Sequence, residues 1–219
     1  MPPRFIFISH SIGSHLVQRG LILRPDILKQ TELILHLMPF VRFDPPTLPK
    51  AWLSTVASSP DAAIFGLQMV SRMTKSLPRT WIDVYMERMA GVEDAKGRQL
   101  AIDIAQQPTF AKNFLMLGTE EIRDIPEVHD EAALRIIGRE CSTAMLFCGG
   151  PDMWAPESHM DDLKESKRRG TIPPNIHLEY KEELLHGFVV FPTMVEPVVS
   201  FCLRAILKTN TIPPPISRL

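Results

Sequence analysis

The stretch Phe5-Ile6-Phe7-Ile8-Ser9-His10-Ser11-Ile12-Gly13-Ser14 decides how this chain is read. Its first four residues are aromatic or β-branched with no polar alternation, the pattern of a parallel strand buried on both faces. His15 to Leu23 can then form a helix that ends before Pro25. Strand, tight turn with a central serine, and helix is the context that exposes a serine as a nucleophile. The serine must sit at the strained tip of the turn, so the residues two before and two after it must be small, and here they are Ser9 and Gly13. A glycine is the usual residue at the first of these positions, and Ser9 departs from it while keeping a small side chain. The backbone N–H of Ile12, at the start of the helix, would point at a developing oxyanion. The same residues also suit an ordinary strand-to-helix turn with Ser11 as N-cap.

Such a serine needs an acid and a histidine further along, in the order Ser, acid, His. A second strand is expected at Leu33–Met38 and a third, the best marked, at Thr143–Cys148. The third runs into Gly149-Gly150-Pro151-Asp152. In open parallel sheets, catalytic groups gather just beyond the C-terminal ends of strands, which makes Asp152 the candidate acid; a turn former or helix N-cap is its plainer role. A fourth strand, Asn175–Tyr180, precedes Leu185-His186-Gly187-Phe188, and His186 lies 34 residues after Asp152, room for one helix and one strand. The closing helix is expected to start at Thr193, with Glu196 completing a capping box and Val198, Val199, Cys202, Leu203 and Ile206 facing the core. Three residues in the right order, each just after a strand, select Ser11, Asp152 and His186 as a catalytic triad with Ile12 as oxyanion donor.

Composition excludes several classes and narrows the partners. The 219 residues carry 24 basic and 25 acidic side chains, a net charge of −1, which speaks against a basic nucleic-acid binder. The hydrophobic share, 45%, is too high for a disordered chain. Three cysteines without metal-ligand spacing fit a reducing compartment, and no metal or cofactor is expected. No apolar window is long enough for a spanning helix, and the four-residue run at Phe5–Ile8 is too short for a signal peptide. The chain has 20 prolines, and seven of them cluster at 45–46, 173–174 and 213–215, as punctuation between elements.

Between the second and third strands, residues of about 43–140 read as a helical insert. Trp52, Ile64–Val70 and Trp81–Met86 are its apolar part; Gln99–Ala105 and Asp130–Ile137 are amphipathic helices. An apolar lid surface formed by Trp52 and Ile64–Val70 that contacts lipid is one expectation; packing of these residues into the fold is the other. Lys164–Arg169 reads as the solvated last turn of a helix stopped by Gly170, with an anionic-membrane patch as the alternative.

On His10–Ser14, Phe147–Gly150 with Asp152-Met153-Trp154-Ala155-Pro156, the loop Leu185–Phe188 and the insert stretch Phe114–Ile122, the chain resembles the lipid droplet-associated hydrolases of the α/β-hydrolase superfamily. The Asp-x-Trp-x-Pro turn is the most specific of these motifs. The resemblance implies a mostly parallel sheet with a helical lid and a carboxylic ester hydrolase of lipase or sterol esterase type. It also implies neutral lipid esters, sterol esters among them, as substrates at the cytoplasmic side of lipid droplets or the endoplasmic reticulum. Such proteins carry several strands ahead of the serine turn, including a loop that supplies a second oxyanion donor. The chain is therefore expected to be the C-terminal part of that fold, residues 1–219 forming one truncated domain. A catalytically weak or inactive lipid-droplet protein on the same scaffold is the alternative.

Overall fold

The computed structural model describes residues 4–42, 59, 65–66, 68–69, 72–73, 75–88, 92, 94–107, 109, 112–113, 116, 125–149, 152 and 155–211. Trp52, Ile64, Leu67, Val70, Phe114, Leu115, 117–122, Gly150, Pro151, Met153 and Trp154 therefore lie outside the described residues.

Four parallel strands form one sheet in the order of the chain: β1 (Phe5–His10), β2 (Thr31–Leu37), β3 (Ser142–Cys148) and β4 (Ile176–Lys181). Between them run α1 (Gly13–Leu23), α2 (Pro25–Leu28), α3 (Arg79–Arg88), α4 (Ala95–Ala105), α5 (Glu131–Glu140) and α6 (Glu157–Arg168), and α7 (Pro192–Thr211) closes the described chain. Two compact units divide these elements. One comprises Met1–Phe43, Pro126–His186 and Glu196–Leu219; the other comprises Asp44–Ile125 and Gly187–Val195.

In the first unit β3 is buried on both faces, as its unbroken apolar run requires. One core cluster joins Leu134, Met145, Phe147, Met160, Leu163 and Ile176; a second joins Leu21, Leu28, Ile34, Ile137 and Cys141. Local chemistry sets the helix ends. Asp130 caps α5 by accepting from the Ala133 N–H at 2.9 Å. After α6, Gly170 at φ 71° lets Gly170 N–H reach Lys167 C=O and Thr171 N–H reach Ser166 C=O, both at 3.0 Å, a Schellman ending.

Two expectations need correction. β1 is only partly buried: among the described residues it pairs with β2 alone, Ile6 and Ile8 are exposed, and Ser9 is buried. A run of apolar residues does not say which of them a neighbouring element covers. α7 begins at Pro192 rather than Thr193, and Val198 and Phe201, not Val199 and Leu203, form its inner face. Proline supplies the helical φ at the first position, and two overlapping apolar stripes share the helix.

In the second unit, Arg98 ties α3 to α4. Its guanidinium donates to Asp83 at 2.8 Å and to the Val92 carbonyl at 3.1 Å. Val92 and Ile102 are buried, while Phe65, Met73, Trp81 and Tyr85 are exposed. No helix among the described residues is long and apolar enough to cross a membrane.

Candidate active site

β1 delivers the chain to a turn held by backbone bonds. Ser11 N–H donates to Leu37 C=O at 3.0 Å, and Ser11 C=O accepts from Ser14 N–H at 3.0 Å and Phe40 N–H at 3.2 Å. Ser11 takes φ 55°, the left-handed region, at a cost of about 1–2 kcal/mol for a non-glycine residue. The three backbone bonds sustain this strain at the C-terminal edge of the sheet. Ile12 follows as the N-cap of α1, and its N–H has no partner among the described residues.

The small residues flanking the turn do different things. A methyl group on Gly13 would meet Ser9 Cβ at 3.7 Å, ordinary contact, so Gly13 is not sterically obligatory here. Ser9 enters a buried polar network behind the turn. Its Oγ is 2.6 Å from His36 Nδ1, 3.4 Å from Leu35 O and 3.3 Å from Ser14 Oγ; Gln18 Nε2 stands 3.4 Å from His36 Nε2. One assignment satisfies the chain. Gln18 donates to His36, His36 Nδ1–H donates to Ser9, and Ser9 donates to the Leu35 carbonyl. His36 is wholly buried, and burial pushes its pKa down to about 3, so the ring is neutral.

Asp152 follows β3 and His186 follows β4. Gly149 N–H donates to Lys181 C=O at 3.0 Å, drawing the two strand ends together. A Cβ on Gly149 would lie 2.4 Å from Glu182 Cα, so the approach demands glycine. The Asp152 carboxylate links the turn to the imidazole. Its Oδ1 accepts from the Ala155 N–H at 3.1 Å, making the turn, and its Oδ2 is 2.6 Å from His186 Nδ1. On the other side of the ring, His186 Nε2 stands 2.9 Å from Ser11 Oγ. The Asp152 side chain is almost wholly buried and His186 is partly open to solvent.

The structure thus brings Ser11, His186 and Asp152 into one hydrogen-bonded chain, with Ile12 beside the serine. Such a chain can pass the serine proton to the imidazole while the carboxylate holds the ring's tautomer and stabilises the imidazolium. Two contacts had no sequence signal. The Cys148 thiol donates to Asp152 Oδ2 at 3.2 Å, and His10 Nε2 lies 2.9 Å from the His186 carbonyl oxygen. Cys148, Asp152 and His186 hold potential metal-binding atoms within 4.8 Å of one another. All three are engaged by the bonds just described, and burial together with the Asp152 charge holds the thiol in its neutral form, with its pKa pushed up to about 12.

A parallel sheet with a left-handed serine between β1 and α1, an acid after β3 and a histidine after β4 is the architecture of the α/β-hydrolase fold, and solved structures share it. An acetylester hydrolase from Corynebacterium glutamicum is 17% identical, with a TM-score of 0.54 over 93% of this chain and 61% of its own. A peroxisomal α/β-hydrolase from Saccharomyces cerevisiae is 14% identical, with a TM-score of 0.55 over 100% of this chain and 57% of its own. A structure from a study of carboxylesterases of the thaumarchaeon Nitrososphaera gargenis is 15% identical, with a TM-score of 0.56 over 94% and 66%. The chain thus spans 57–66% of the length of these three. No curated protein matches it. The model of the lipid-droplet associated hydrolases matches residues 2–189, and the chain belongs to that family.

Proposed function

We propose that the chain is a serine carboxylic ester hydrolase acting on neutral lipid esters, sterol esters among them, at the cytoplasmic side of lipid droplets or the endoplasmic reticulum. The observation that carries this reading is the unbroken chain Ser11 Oγ–His186–Asp152, 2.9 and 2.6 Å per link.

Ser11 Oγ attacks the ester carbonyl as His186 Nε2 takes its proton. The tetrahedral oxyanion draws on the Ile12 N–H. The imidazolium, steadied by Asp152, gives the proton to the leaving alcohol, and an acyl group remains on Ser11. Water, activated by the same imidazole, releases the acid. The family supports the lipid class of substrate.

A weak or inactive lipid-droplet protein on the same scaffold is the second reading. It keeps the lipid-droplet association of the family without turnover at Ser11. The test compares wild type with Ser11→Ala on a soluble short-chain ester and on an emulsified sterol ester. Hydrolysis by wild type that vanishes in the variant is expected. Equal turnover by the two removes the triad, and a folded wild type without turnover supports the second reading.

A further inference from the structure

We infer that His10 is a positioning residue, which clamps the loop carrying His186 to the serine turn through a hydrogen bond to the His186 main-chain carbonyl. The inference rests on reading Ser11, His186 and Asp152 as the reacting triad.

Residues 182–187, beyond β4, form no helix or strand, yet they must hold the imidazole within hydrogen-bond reach of Ser11. Leu184 is buried, and its N–H donates to Lys181 C=O at 3.2 Å; these restrain the start of the loop. At the histidine itself the restraint comes from His10, 176 positions away in the chain and adjacent to Ser11. A carbonyl oxygen can only accept, so the 2.9 Å contact requires the proton on His10 Nε2. The two rings stand 5.0 Å apart between centroids, inclined at 51°. Burial lowers the His10 pKa, in keeping with a neutral ring. His10 thus joins the main chain at the base to the residue that precedes the nucleophile. Sideways drift of the loop would lengthen the Ser11–His186 bond, and a displacement of about 1 Å in such a site costs on the order of 10² in rate.

The test uses two variants of the full chain. His10→Phe keeps an aromatic ring and removes the donor; His10→Gln keeps an N–H that can reach the carbonyl. On a soluble short-chain ester, His10→Phe is expected to lower kcat by about 10- to 100-fold, with KM within about twofold of wild type. His10→Gln is expected to recover most of that loss. The downfield proton resonance of His186 Nδ1–H should broaden in His10→Phe and stay sharp in His10→Gln. Wild-type kcat and an unchanged resonance in His10→Phe overturn the clamp, as does a His10→Gln variant as impaired as His10→Phe. If His10→Phe does not fold, ring ¹⁵N shifts of wild type decide instead: a neutral His10 protonated on Nε2 supports the bond, and any other form overturns it. Full activity of Ser11→Ala would refute the triad and is read separately. The resonance and the ¹⁵N shifts test the clamp even without turnover.

Discussion

Mild acid should destabilise this protein through two buried histidines. In an unfolded chain each takes up a proton near pH 6.5, whereas burial holds the folded-state pKa of His36 at about 3 and that of His159 at about 4. Both folded values lie below the unfolded one. The unfolded state therefore binds more protons across the interval, and the stability these groups contribute is complete above pH 6.5 and lost as the pH falls. Between pH 7 and pH 5 the linkage relation gives a loss of about 2 kcal/mol for each. Together that is about 4 kcal/mol, a large part of a total of about 5–15 kcal/mol. His36→Gln isolates one contribution, because glutamine keeps a polar atom toward Ser9 Oγ and does not titrate. Urea unfolding followed by far-ultraviolet circular dichroism at pH 7 and pH 5 measures it. The variant should be less stable at pH 7, yet lose about 2 kcal/mol less than wild type on going to pH 5. An equal loss in both proteins, or a His36 ring that titrates near pH 6.5 in the folded state, would refute the reasoning.

Three further outcomes follow from the geometry. Asp152→Asn removes the acceptor that fixes the His186 tautomer, and kcat on a short-chain ester should fall by about 10⁴; a loss below tenfold would contradict the assigned role of the carboxylate. Gly149→Ala places a methyl group 2.4 Å from Glu182 Cα, and the shift it forces should destabilise by about 1–3 kcal/mol in a urea titration and lower activity with it. Trp81, 68% exposed in the second unit, should blue-shift its fluorescence on addition of a neutral-lipid emulsion, seen as the difference between wild type and Trp81→Phe; identical spectral changes in the two proteins would place the lipid-contacting surface elsewhere.

Much of the site was legible because its signals are local. Ala144–Cys148 is a continuous apolar run and became the body of β3, and Asp152 and His186 follow the ends of β3 and β4. Gly170 after a basic turn marked a helix end as it does in peptides, whereas Asp130, read as part of its helix, stands outside it as the N-cap. The unread part depends on pairing. Ser9 meets His36 because β1 and β2 align those two residues, and no pattern within either strand announces a buried imidazole bonded to a serine. His10 meets the His186 carbonyl across nearly the whole chain. Ile6 and Ile8 read as interior residues since hydrophobicity records the apolar run and not what covers it. On α7, the period of 3.6 residues allows either Val198 and Phe201 or Val199 and Leu203 as the inner stripe, and packing against the sheet selects the first.

The most direct measurement treats the folded chain with a fluorophosphonate and maps the adduct by peptide mass spectrometry. This reagent requires an activated serine and traps it covalently. A single adduct on Ser11, absent from Ser11→Ala and suppressed in His186→Ala, is expected. A folded chain that takes up no label at Ser11, or that labels equally well without His186, would contradict the triad.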